Sequence, residues 1–203
     1  MLITKAELEL AKLAAKDESR YGKALQCVAV DKEQSVVTTG HYLIAVKHGT
    51  FSEQDYPVTE GLEHAAPNGK PILIHRDTAL NAAKALPKKN TIPVLGCAAL
   101  GKDGKLFVND LERVQSFAGQ VTETFPNWQA VMPKPDEKVA VKFAVNADYL
   151  SALCDYISKQ HGSDNYHAPV VTITVYAADK AIKLEATTKD GQEIVQLLMP
   201  VRM

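Results

Sequence analysis

The residues of this chain that could do chemistry are thinly spread. Its six histidines are His41, His48, His64, His75, His161 and His167. None stands in an HExxH arrangement, and His161 and His167 have no nearby cysteine or paired carboxylate to complete a metal site. Cys27, Cys97 and Cys154 are odd in number, far apart and outside any metal-ligand spacing. All three are therefore expected to be buried thiols. There is no Walker A loop, no GxGxxG after a strand and no GxSxG elbow. Asp148 and Asp155 fall on one side of a helix candidate, where a charged outer face explains them better than acid–base work. The expectation is a non-enzymatic protein with no cofactor and no metal.

Apolar recognition is the chemistry that remains, and three segments carry it. The last eight residues are Gln196, Leu197, Leu198, Met199, Pro200, Val201, Arg202 and Met203. An apolar end left loose in water is an aggregation liability. This end is expected either to pack into the fold or to form one wall of a groove. A second segment, residues 37–45, reads as a strand, a bend at Gly40 and another strand. The third, residues 125–133, holds the only tryptophan, Trp128, between Pro126 and Pro133. A connector should be polar, yet this one offers Phe125, Trp128, Val131 and Met132. It either packs on a seam between domains or serves a partner.

The elements that must position these segments repeat along the chain. A first helix starts at Thr4, which forms a capping box with Glu7, and extends to Lys16. A second follows the strand 71–74, from about Asp77 to Leu86, and Pro87 ends it. A third follows a strand over 139–145, with Asn146 as its cap and Tyr149, Leu150, Leu153, Tyr156 and Ile157 as its stripe. Leu8, Leu80 and Leu150 match, a step of roughly 70 residues. Short β-like runs follow each helix: 25–30, 35–38 and 42–47, then 98–100, 106–109 and 113–118, then 170–176, 181–187 and 193–200. The fold class expected is α+β, as three α-plus-antiparallel-meander units with helices packed on one sheet face.

With 203 residues, 46% of them apolar and 23% charged, the chain can bury a core as one domain or two small ones. A net charge of −1 excludes a polycation but allows one basic and one acidic surface. No stretch approaches a membrane span, and Met1-Leu2-Ile3-Thr4-Lys5 lacks the layout of a signal peptide. A cytoplasmic location is expected.

The three apolar segments together resemble the bacterial β sliding clamp, the processivity factor (beta subunit) of DNA polymerase III. Thr38-Thr39-Gly40-His41-Tyr42-Leu43 is similar to the family's Thr-Asp-Gly-His-Arg-Leu bend. Phe125-Pro126-Asn127-Trp128 through Val131-Met132-Pro133 is similar to its Phe-Pro-Asp-Tyr…Val-Leu-Pro connector. Residues 197–203 are similar to its terminal Val-Val-Met-Pro-Met-Arg-Leu. The resemblance implies a DNA-clamp-like fold and a hydrophobic pocket that takes linear peptides from polymerase, clamp loader or repair proteins. Its lining, carried over by position, is Leu25, Thr38, Gly40, His41, Tyr42, Leu43, Pro126, Val131, Leu197, Leu198, Met199, Pro200, Val201 and Arg202. Tyr42 and Ala130 stand where the family has basic residues, which bears on which peptide fits. By the same resemblance, residues 1–124 match one complete domain of two units, 125–133 the connector, and 134–203 half a domain of one unit. Sequence-independent contact with double-stranded DNA falls to Lys12, Lys16, Arg20, Tyr21, Lys84, Lys88 and Lys89. The lone third unit implies a homo-oligomer through residues 134–203. The alternatives are a clamp-derived peptide-binding adaptor or competitor that never encircles DNA, and an enzyme on a similar scaffold.

Overall fold

The computed structural model describes residues 1–17, 22–88, 91–132, 139, 141–161, 169–188 and 192–201. They form two compact bodies, Met1–Met132 and Pro133–Met203. The larger body contains, in order, β1 (Leu2–Thr4), α1 (Lys5–Glu9), β2 (Cys27–Val30), β3 (Gln34–Thr38), β4 (Leu43–Lys47) and β5 (Ile72–His75). It continues with α2 (Arg76–Ala85), β6 (Cys97–Leu100), β7 (Leu106–Asn109), β8 (Val114–Phe117) and β9 (Gln120–Val121). The smaller body contains α3 (Ala147–His161), β10 (Thr172–Thr174), β11 (Ile182–Thr187) and β12 (Glu193–Leu198). All pairings among the described residues are antiparallel, so the chain is α+β with meanders and few helices.

Local chemistry sets the helix boundaries. Thr4 and Glu7 close the capping box at the start of α1. The α-helix is shorter than residues 5–16 suggest, because it tightens to a 3₁₀ turn over Leu10–Leu13. Ala15 N–H then donates to the Leu25 carbonyl at 3.0 Å, and this distant bond ends the helix where propensity alone would continue it. Helix α2 stops before Pro87, with Leu86 already extended. Asn146 caps α3, its Oδ1 accepting from the N–H groups of Asp148 and Tyr149 at 2.8 and 3.2 Å.

The meanders do not stand alone. Strand β1, which leads into α1, pairs with β6 of the second unit, aligning Leu2 with Ala99. Strand β5, which leads into α2, pairs with β2 of the first unit, aligning Leu73 with Ala29. Each unit thus lends its leading strand to the other's sheet. The sheets run β4-β3-β2-β5-β9 and β1-β6-β7-β8. Alternate residues Val28, Val30, Val37 and Ile74 of one sheet, and Ala98, Leu100, Leu106 and Val108 of the other, join Leu8, Ala11, Ala82 and Ala83 of the helices in one core. The opposite faces are covered too. Cys97, Ala99 and Phe107 lie under Tyr56, and Cys27, Ala29, Val36 and Leu73 lie under Phe125 and Trp128.

A carboxylate sits inside this assembly. Glu7 is fully buried, and its Oε1 accepts from Ser35 Oγ at 2.9 Å and lies 2.6 Å from His48 Nδ1. Its Oε2 accepts from Thr4 N–H at 2.9 Å and Thr4 Oγ1 at 2.7 Å. Burial works against its charge, but the bonds to His48, Thr4 and Ser35 outweigh burial and hold its pKa below the ordinary value. Burial likewise works against a charged His48, and Glu7 with the Asp31 carbonyl outweighs it, raising the His48 pKa.

In the smaller body, β10-β11-β12 form one sheet, with Ile182, Leu184 and Leu198 buried against Val145, Leu150 and Leu153. The strand expected over 139–145 is absent among the described residues. Only Ala144 makes a bridge there, to Val201. A strand needs consecutive pairs along a neighbour, and a single isolated bridge does not make a ladder. Cysteine placement also departs from expectation. Cys27 and Cys97 are buried, but Cys154 is exposed, because it lies on a face of α3 that no described residue of its own body covers.

Candidate functional site

The hairpin β3–β4 supplies one wall of a cleft. Its loop is fastened internally: Thr38 Oγ1 donates to the Tyr42 carbonyl at 2.7 Å and accepts from Gly40 N–H at 3.2 Å. Thr39 N–H donates to the same Tyr42 carbonyl at 3.2 Å. Gly40 turns the chain at φ +86°, a left-handed conformation that L side chains rarely adopt. The Tyr42 hydroxyl donates to the Leu13 carbonyl, which ties the loop to the turn after α1.

The Trp128 segment supplies the facing wall. Trp128 N–H donates to the Pro126 carbonyl at 2.8 Å and opens a 3₁₀ turn over Trp128–Val131. Phe125 and Trp128 press onto the outer face of the β2–β3–β5 sheet, leaving Trp128 only 6% exposed. The segment is therefore anchored within the larger body rather than strung loosely between bodies. The sheet face they cover explains Phe125 and Trp128, whereas Val131 and Met132 stay exposed.

Between these walls lies a cleft of about 410 Å³, lined by Leu25, Thr38, Gly40, His41, Tyr42, Leu43, Pro126, Asn127, Trp128 and Val131. Leu25, Leu43, Pro126, Trp128 and Val131 form the apolar surface, while Thr38, His41, Tyr42 and Asn127 add polar groups. Chemically this is an apolar slot with a polar rim, suited to a side chain or two of an extended peptide. The structure brings together eight of the residues singled out in the sequence: Leu25, Thr38, Gly40, His41, Tyr42, Leu43, Pro126 and Val131. Asn127 and Trp128, named in the connector but not in the expected lining, line it too. The signal for Trp128 was present, as the one tryptophan in an apolar connector.

The terminal residues named in the sequence belong to the smaller body. Leu198 is buried in its core beside Leu184, so it offers no surface of its own. Leu197, Met199 and Val201 are exposed, and Pro200 is partly so. Val201 N–H donates to the Ala144 carbonyl at 2.7 Å, which ties this segment down. Arg202 lies outside the described residues.

A second groove, of about 470 Å³, runs between the helices of the larger body. Lys5, Lys12, Lys84 and Lys88 line it with Glu9, Leu80, Ala83 and Leu86. Glu9 Oε1 accepts from Lys12 Nζ at 2.9 Å, and that bond lowers the Glu9 pKa. The four lysines still outnumber the one carboxylate, so the groove favours an anion. Lys12, Lys84 and Lys88 meet here as a group, whereas Lys16 is exposed outside the lining. Arg20, Tyr21 and Lys89 lie outside the described residues. Among those described, no group of three or more His, Cys, Asp or Glu could hold a metal ion. No described helix is long and apolar enough to cross a membrane.

No protein-family model matches the sequence, and no curated protein matches it. Solved structures do, and those named here are bacterial sliding clamps. The Bacillus subtilis DNA polymerase sliding clamp matches over 100% of this chain with a TM-score of 0.68 at 13% identity. The Caulobacter crescentus β sliding clamp, crystallised with polyethylene glycol in a proposed β-motif tethering region, matches over 98% with a TM-score of 0.65 at 16% identity. The polymerase beta subunit of Streptococcus pyogenes matches over 100% with a TM-score of 0.60 at 10% identity. The chain has the sliding-clamp fold and spans about half the length of these clamps, 49–50%.

Proposed function

We propose that this chain is a clamp-like, non-enzymatic DNA replication protein that holds partner proteins by a short linear peptide. The cleft of about 410 Å³ carries the reading, because it draws its walls from both the Gly40 bend and the Trp128 segment. An extended peptide with a leucine or phenylalanine anchor fits such a slot, and Thr38, His41 and Asn127 can meet its backbone. The candidate partners are polymerase, clamp-loader and repair proteins. Exposed Leu197, Met199 and Val201 offer further apolar contact to a partner. The lysine groove gives the same protein a sequence-independent hold on double-stranded DNA.

Fluorescence anisotropy with a labelled Leu/Phe-rich peptide tests the cleft. Val131 is exposed at its rim, so Val131→Asp leaves the fold intact and puts a charge in the slot. The expected result is saturable binding that this variant weakens at least tenfold. Equal affinity for both proteins removes the assignment. The cleft is complete within the larger body, which also favours an adaptor that binds peptides without encircling DNA. Retention on circular DNA with loss on linearisation separates the clamp from the adaptor.

A further inference from the structure

The larger body shows how two α-plus-meander units complete each other, and the smaller body is one such unit with its mate's side open. We infer that a second copy of this chain closes it, through a two-fold exchange of residues 141–145 onto the free edge of β10. In the larger body, β5 lies between β2 of the other unit and β9 of its own. In the smaller body, Ala144 has the counterpart of the β9 contact, its bridge to Val201. The β2-side contact has no counterpart among the described residues. The strand that should receive such a contact, β10, is itself an edge, paired among the described residues only with β11. One body therefore presents both the strand to give and the edge to take. A copy related by a two-fold axis satisfies both at once, and no other chemistry is required of the partner.

The helix seam agrees. Aligned on Leu8, Leu80 and Leu150, the positions Ala79 and Leu86 of the second unit and Glu7 and Ala14 of the first are all buried. Their equivalents on α3 are Tyr149 and Tyr156, which are 66% and 52% exposed. The sheet tells the same story. Ile173 pairs with Leu184 and so shares the helix-facing side, yet it is 56% exposed while Val30 and Leu100 are at 0%. Tyr149, Tyr156 and Ile173 are thus exposed at positions that are buried in the two mated units.

The geometry also fixes which thiols meet. Lys12 and Lys84 lie four residues after Leu8 and Leu80 and line the same groove from opposite units. Cys154 lies four residues after Leu150 and is exposed, while Cys27 and Cys97 are buried. Two copies mated in this way bring their Cys154 thiols to one groove.

Sedimentation of the full chain at micromolar concentration, with a short bismaleimide cross-linker in parallel, tests the inference. The expected species is a dimer or an even multiple of it, with a cross-linked dimer on denaturing gels that Cys154→Ser abolishes. Tyr149→Glu and Ile173→Asp change exposed side chains, and each is expected to yield half the native mass with an unchanged circular dichroism spectrum. A monomeric native chain, an odd-numbered assembly, or association that survives both substitutions overturns the inference. Because peptide binding is read in a separate assay on the larger body's cleft, failure here leaves that reading standing, and the reverse also holds.

Discussion

Replacing Glu7 by alanine should destabilise the larger body by about 3–5 kcal/mol, the range for breaking a buried ion pair by removing one partner. The sum of its parts, about 3–7 kcal/mol, overlaps that range. Loss of the capping box costs about 1 kcal/mol. Ser35 Oγ and the His48 ring lose their carboxylate partner in the interior, and a buried group left unpaired costs about 1–3 kcal/mol. Urea unfolding followed by Trp128 fluorescence reads this body directly, because Trp128 packs on its sheet. The pH dependence supplies a second check. The lowered Glu7 pKa means its contribution is full above the ordinary value of 4.5 and is lost as pH falls through the folded value. The raised His48 pKa means its contribution is full below the ordinary 6.5 and is lost as pH rises through the folded value. The gap between native protein and Glu7→Ala should therefore be widest between about pH 4.5 and 6.5 and narrow on both sides. A loss under about 1 kcal/mol, or a gap that ignores pH, would refute the argument that this network holds helix to hairpin.

Other outcomes follow from the same geometry. Gly40→Ala should cost about 1–2 kcal/mol, because φ +86° strains an alanine even though its Cβ would meet nothing within 4 Å; chemical unfolding measures it. Tyr42→Phe removes only the hydroxyl bond to the Leu13 carbonyl, so it should cost about 0.5–1.5 kcal/mol, read in the same melts. If the lysine groove meets phosphates, Lys84→Ala and Lys88→Ala should each lower the slope of log affinity for duplex DNA against log salt by about 0.9; an unchanged slope would exclude them. In the native state one thiol per chain should react quickly with Ellman's reagent, and Cys154→Ser should remove that signal. Burial raises the Cys27 and Cys97 thiols to pKa values of about 12 and 11 and keeps them slow.

Much of this was legible in the chain because local chemistry announces local structure. The Thr4–Glu7 box, Pro87 and Asn146 mark helix ends, and turns such as the one at Gly104 separate strands. The Gly40 bend and the Trp128 segment were picked out by their resemblance to the clamp family's motifs, and they line one cleft. What could not be read was the exchange of β1 and β5 between sheets, since alternation of apolar residues names a strand but not its neighbour. For the same reason residues 139–145 looked like a strand when, among the described residues, they make a single bridge. Glu7 was legible as a cap and illegible as a core group, because Ser35 and His48 reach it from distant sequence. Cys154 was misjudged by composition, which favours buried thiols and knows nothing of a helix face left open.

The alignment of Leu2 with Ala99 has a consequence for biosynthesis. A ribosome releases the amino-terminal strand long before the strand that will hold it exists. Until β6 emerges, the first helix and its meander lack an edge on one side and a cover on the other. Folding of this body should thus wait for β6 and be slow for its size, because so many of its pairings join distant parts of the chain. Nascent chains halted before residue 97 should remain sensitive to protease along their whole length.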